Sequence, residues 1–208
     1  DKPIFRLPMV VQQMWPWPET KDFDLSRRRF LWFGSRGMVH KGLDLVLEAF
    51  VRMPEFQLTI VGPVRNEPEF ANVYRKELFH TPNIKCVGWL DKSSEEFRRV
   101  LEQSLAHVFP SCSEAGAAAV VETMSAGVIP VVTYEASIDV ENFGFLLEDA
   151  SIETIMRQVR EIAAMSVDEL RRKAKKAWEA AHNNHTQEKF ARSYRATIEM
   201  ILAKHGRR

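Results

Sequence analysis

Between residues 30 and 147 short apolar runs alternate with amphipathic helical patterns, and the loops between them are brief. Runs at 30–33, 56–61, 84–87 and 106–109, another from Val128 and a short one at 145–147 read as strands. Helical patterns cover 42–50, 68–79, a segment capped by Ser93 or Ser94 and running to Gln103, and a stretch from about Gly116 to Gly127. Glu96 is placed for a capping box in the third of these. Five or six such alternations impose βαβ units, because parallel neighbours need a crossover helix that packs back on the sheet. The expectation is an α/β chain with a doubly wound parallel sheet of about six strands. Extra C-terminal helices follow at 152–164, 167–181 and 187–203. No GxGxxG follows a strand, so the nicotinamide-dinucleotide fingerprint is absent, and no fixed-period repeat occurs.

The length of 208 residues suits one sizeable core and is too short for two full α/β domains. With 45% hydrophobic and 27% charged residues the composition is that of a globular protein in water. A net charge of +1 gives no argument for a nucleic-acid partner. The basic runs at 27–29 and 171–176 read as solvated faces, the second lying on a helix where a membrane surface could meet it. Two cysteines, Cys86 on a strand and Cys112 in a loop, offer neither a disulfide framework nor zinc spacing, which points to a reducing, cytoplasmic compartment. Neither a signal peptide nor a membrane-length apolar stretch is visible.

Residues 1–29, with Pro3, Pro8, Pro16 and Pro18, read as a connecting segment rather than a core element. Within them Met14-Trp15-Pro16-Trp17 is apolar and reads as a strand or as a strap against a partner. Residues 204–208 read as a flexible tail. The chain opens on Asp1 rather than Met, so a longer parent is expected.

Chemistry-bearing residues gather in two loops. Arg36 and Lys41 lie between the end of a strand and the start of a helix. A planar guanidinium, a compact ammonium and a helix N-terminus together suit a diphosphate, although surface loop charges look the same in sequence. The second loop, Pro110-Ser-Cys-Ser-Glu114-Ala-Gly-Ala117, opens a helix that carries Glu122. A carboxylate there can accept both hydroxyls of a ribose, or be an exposed helix glutamate. Glu114 can act in the site or cap the helix. The small residues 115–119 leave backbone amides open to a phosphate, or pack in the core.

In combination these segments resemble the C-terminal, donor-binding domain of GT-B glycosyltransferases, the retaining family 4, group 1 type. Gly34-Ser-Arg36-Gly-Met-Val-His-Lys41-Gly42-Leu-Asp44 is similar to that family's Gly-Arg-(four residues)-Lys-Gly-x-Asp segment. Pro110-Ser-(two residues)-Glu114-(seven residues)-Glu122-(four residues)-Gly127-(two residues)-Pro130-Val-Val is similar to its E-x7-E block. Val61-Gly62-Pro63, Asn83-Ile84 and Val87-Gly88-Trp89-Leu90 fall where it keeps a glycine after a strand and an apolar-glycine pair.

The resemblance covers residues 30–203 and implies a Rossmann-like domain that binds a nucleoside-diphosphate sugar as substrate, with no cofactor and no bound metal. By that resemblance Arg36 and Lys41 hold the diphosphate and steady the leaving nucleotide, and Glu114 orients the sugar. Glu122 binds the ribose, Ala118, Ala119 and Val120 offer amides to the phosphates, and Trp89 and Leu90 meet the base beside Gly62. A lipid or a glycan is the implied acceptor. It is held by a preceding N-terminal domain of the same protein, to which 1–29 connects and toward which the last helix folds back.

Two departures stand out. Where the family has Glu-Gly-Phe-Gly this chain has Glu114-Ala-Gly-Ala117, and Ser35 replaces a glycine. Alanine tolerates positive φ poorly, so the loop around the sugar is expected to differ. That keeps open a non-catalytic nucleotide-sugar-binding or interaction module. A phosphorylase or an epimerase fits less well: the first carries a lysine-bound cofactor and the second lacks the Lys-Gly-x-Asp arrangement.

Overall fold

A computed structural model describes residues 4–205 apart from 6, 12 and 141. Its strands are β1 (Arg29–Phe33), β2 (Gln57–Val61), β3 (Ile84–Gly88), β4 (Ala106–Phe109), β5 (Ile129–Val132) and β6 (Phe145–Leu146). All pair in parallel in the order β3-β2-β1-β4-β5-β6. The order reverses between β1 and β4, the switch point where open α/β sheets bind ligands. Pairing there covers only Phe30 with Ala106 and Leu31 with His107, while the β1–β2 ladder continues to Phe33 and Val61. The crevice is therefore built into the register.

Helices α1 (Phe23–Ser26), α2 (Leu43–Val51), α3 (Pro68–Val73), α4 (Arg75–His80), α5 (Glu95–Gln103), α6 (Ala118–Met124), α7 (Ile152–Ala164), α8 (Val167–Asn184) and α9 (Gln187–His205) complete the chain. Side chains of β1 alternate between two covered faces, which is why residues 30–33 are all apolar. Phe30 and Trp32 join the core under α2 and α7, and Leu31 and Phe33 join the one under α5 with Phe97 and Leu101.

Where sequence and structure differ, the reasons are local. The helix expected over 68–79 kinks at Tyr74, whose ring stacks on Phe70 at 4.8 Å while its hydroxyl donates to Glu48 on α2. Ser94, not Ser93, caps α5 by accepting from the Phe97 N–H, so Glu96 makes no capping box; Ser93 is held by Asp91 instead. The capping box lies at α8, between Ser166 and Glu169. Cys86 on β3 is half-buried and Cys112 exposed.

Residues 14–17 form a strap, not a strand. Trp15 is buried, its carbonyl accepts from the Trp178 indole at 2.9 Å, and Trp17 stacks on Phe23. Lys21 is buried below the sheet, donating to Ser104 O at 2.7 Å and Gly127 O at 3.1 Å, and burial pulls its pKa down to about 7. The basic run on α8 covers aromatic rings: Arg171 lies over Phe23, Lys173 over Phe145 and Lys175 over Trp17 and Trp178. Helix α9 runs to 205; the rest of the expected tail, 206–208, lies outside the described residues, as do 1–3 of the expected connecting segment. No helix among the described residues is long and apolar enough to cross a membrane.

Candidate functional site

The β1–α2 and β4–α6 loops meet above the switch point because glycines let their backbones touch. Gly42 opens α2 at φ 67°, and a Cβ there would stand 2.4 Å from Pro110 O. A Cβ on Gly62 would stand 2.7 Å from Gly34 O, so Gly62 serves the site by letting the β2 end close onto the β1 end. Cys112 N–H and Ser111 Oγ both donate to His40 O, at 3.0 and 3.2 Å, which stitches the two loops together.

This seam brings Lys41 and Glu114 into contact. Lys41 Nζ lies 2.6 Å from Glu114 Oε1, with both side chains largely buried. Ser111 Oγ also lies 3.3 Å from the same oxygen, so its one proton serves either His40 O or Glu114, and His40 Nε2 stands 3.8 Å from that oxygen. Trp32 Nε1 fixes the Lys41 carbonyl at 3.1 Å. Arg36 is exposed and makes no hydrogen bond or ion pair among the described residues. Glu114 neutralises Lys41, so Arg36 is the cation of this loop left free to take an anion. Glu67 holds the Gly37 and Met38 amides at 2.5 and 3.1 Å, so those N–H groups are already occupied.

The departure in the second loop has a structural resolution. Gly116 carries the positive φ, 139°, and neither Ala115 nor Ala117 does. Ser137, also at positive φ, donates through Oγ to Glu114 O at 3.0 Å and fixes that corner. Helix α6 then starts at Ala118 without a side-chain cap. The Ala118 and Ala119 amides have no partner among the described residues, whereas Val120 N–H is taken by Ala117 O at 2.9 Å.

Glu122 on α6 is buried, not an exposed helix glutamate, and pairs with Lys92 Nζ at 2.7 Å. Burial pushes its carboxyl up, and the Lys92 ammonium pulls the other way. Beneath, His107 accepts the Phe33 N–H through Nε2 at 3.1 Å, which leaves Nδ1 as the protonated nitrogen, 3.1 Å from Thr123 Oγ1. Full burial holds this imidazole neutral, its pKa pulled down to about 3. Trp89, half-exposed, packs on Phe33, while Leu90 is buried beside it.

Of the residues singled out in sequence, Lys41 and Glu114 are brought into contact, and Arg36 lies exposed in the same loop as Lys41. Trp89 and Lys92 both pack against the Phe33 ring, and Lys92 joins Glu122 to this second cluster. Lys92, Glu67, His40 and His107 escaped the sequence reading. The signal for Lys92 was its place between Trp89–Leu90 and the Ser94 cap. Among the described residues no three metal-ligating side chains gather into a site.

Residues 19–180 match the family described as glycosyl transferases group 1. The chain belongs to this family. No curated protein matches the sequence. Solved structures of group 1 and related transferases share the fold. A TarM mutant from S. aureus, in complex with fondaparinux, alpha-GlcNAc-glycerol and UDP, superposes with TM-score 0.72 at 16% identity, over 93% of this chain and 39% of that one. Anabaena HepE in complex with UDP and glucose gives 0.70 at 12% identity, over 85% and 49%. The C-terminal domain of the group 1 protein LpcC from Francisella tularensis gives 0.61 at 15% identity, over 81% and 94%. The chain thus spans less than half of TarM and HepE, and nearly the whole of an isolated C-terminal domain. It has the Rossmann-like architecture and the size of one half of a GT-B enzyme.

Proposed function

We propose that this chain is the donor-binding half of a retaining glycosyltransferase, taking a sugar from a nucleoside-diphosphate sugar. The observation that carries the reading is the Lys41–Glu114 contact at 2.6 Å, made where the sheet parts between β1 and β4 by the loop that also carries the unpaired Arg36. Negative charge builds on the diphosphate as the glycosidic bond to it breaks, so fixed cations at that point favour the transition state over the ground state. Arg36 and Lys41 supply those charges without a metal ion, and the Ala118 and Ala119 amides add to them. Glu114, held by Lys41 and Ser111, orients the sugar. Glu122 accepts the ribose hydroxyls, and the base lies against Trp89 and Leu90. TarM was solved with UDP and HepE with UDP and glucose, which supports a nucleotide-sugar donor.

The acceptor, a lipid or a glycan, belongs to a preceding domain, with residues 1–29 as the connection. Helix α9 folds toward that domain, for which it keeps Tyr194, Ile198 and Leu202 exposed at four-residue spacing. The Glu114-Ala-Gly-Ala117 departure favours a second reading, a module that binds the donor and transfers nothing. Calorimetric titration with UDP, GDP and ADP, with and without EDTA, tests the site. The expected result is binding of one nucleotide that EDTA leaves unchanged, and absence of binding for all three contradicts it. Sugar transfer by the longer parent separates enzyme from module.

A further inference from the structure

Glu122 poses a chemical problem. Its side chain is 2% exposed, yet accepting two hydroxyls requires the ionised carboxylate, because the protonated acid presents an O–H where an acceptor is needed. Its neighbours along the chain are buried too, the apolar Val120, Val121 and Met124 and the neutral Thr123 and Ser125, and β5 carries no ionisable group. The cation that answers it comes from elsewhere. Lys92, on the loop between β3 and α5, reaches across Phe33 with its ammonium 5.7 Å from the ring centroid and 2.7 Å from Glu122 Oε2. Its side chain stays 43% exposed, so solvent pays for part of the lysine's charge while the carboxylate remains dry.

The other charged groups near α6 are engaged differently. On β4, His107 is turned to Phe33 and Thr123 and is neutral. On α8, Lys173 covers Phe145, Lys175 covers Trp17 and Trp178, and His182 stacks on Trp178. Lys92 forms the ion pair that Glu122 makes among the described residues.

The geometry points to Lys92 as a positioning residue of the donor site: its ammonium keeps the buried Glu122 carboxylate ionised and aimed at the crevice, so that both ribose hydroxyls of a nucleoside diphosphate find an acceptor. The inference rests on the donor-site reading above for its ligand, and on the ion pair alone for its charge. Lys92 sits where the chain leaves Trp89 and Leu90, so one loop would hold the base side of the nucleotide and tune the group that holds its ribose.

Two measurements test it separately. In the nucleotide-free chain carrying carboxyl-13C glutamate, NMR follows the Glu122 carboxyl through a pH titration, its signal identified by loss in Glu122→Gln. Lys92→Met should raise the midpoint by about 1–3 pH units, the usual effect of an opposite charge at this distance, and Lys92→Arg should restore it. An unchanged midpoint in Lys92→Met overturns the proposal. Calorimetry with the nucleotide that binds wild type best, and with inorganic pyrophosphate, then reads the consequence. Lys92→Met should weaken the nucleotide increasingly as pH falls, by up to about tenfold per pH unit below the raised midpoint, and leave pyrophosphate unchanged. Equal, pH-independent losses for both ligands would put Lys92 on the diphosphate and overturn the positioning role. A moved carboxyl midpoint in a chain that binds no nucleotide would retire the donor-site reading while sustaining the ion pair's role.

Discussion

Lys41 and Arg36 were indistinguishable as letters in a loop, yet the fold gives them different burdens. Lys41 neutralises a largely buried Glu114, whereas Arg36 stands free at the rim. Removing either cation should weaken diphosphate binding by about 1–3 kcal/mol, the range for charge-assisted hydrogen bonds. Lys41→Ala should also lower the melting temperature by stranding Glu114, while Arg36→Ala leaves it unchanged. Calorimetry and thermal melts on both variants check this, and equal melting losses would contradict it. His107 gives a pH signature. Its folded pKa of about 3 lies below the ordinary value of 6.5, so the unfolded chain binds the proton first as pH falls. Its contribution is whole above pH 6.5 and is lost toward pH 3, by roughly 1.4 kcal/mol per unit. Wild type should therefore lose about 2 kcal/mol more than His107→Gln between pH 7 and pH 5, and parallel pH profiles would refute the assignment. The residue types at 36, 41, 114 and 122 were legible from spacing. The burial of Glu122 was not, because its ion-pair partner, Lys92, comes from a loop 30 positions away in the chain.

At the scale of elements, strand and helix alternation made nearly every unit legible, since apolar runs too short for a helix and flanked by turn residues read as buried strands. The break at Tyr74 was hidden because that residue's hydroxyl partner, Glu48, lies on another helix. Loop closure depends on positions where a side chain cannot fit. Gly42 combines φ 67° with a Cβ position 2.4 Å from a backbone oxygen. Gly42→Ala should cost at least ~1–2 kcal/mol from backbone conformation alone, and more from the displaced Pro110 loop. Urea denaturation is the check, and a variant as stable as wild type would mean the loops do not meet as described.

For the molecule as a whole, the strap binds the chain's first part to its last helices. Trp15 is buried, and its carbonyl takes the Trp178 indole. Trp15→Ala should destabilise by about 3–5 kcal/mol, the cost of emptying a buried aromatic site, as read by chemical denaturation. A loss below 1 kcal/mol, roughly that of a surface substitution, would show the strap to be a loose appendage. The apolar character of residues 14–17 was plain in the sequence. What they pack against was not, since Trp178 lies more than 160 positions away.

In the proposed donor site one crevice reads a nucleotide by parts, with Glu122 on the ribose and Arg36 and Lys41 on the diphosphate. The direct measurement is calorimetry of Glu122→Ala against wild type, with the preferred nucleoside diphosphate and with inorganic pyrophosphate. The variant is expected to lose the nucleoside diphosphate and keep pyrophosphate at wild-type affinity. Equal loss of both ligands would contradict it and reduce Glu122 to a structural residue.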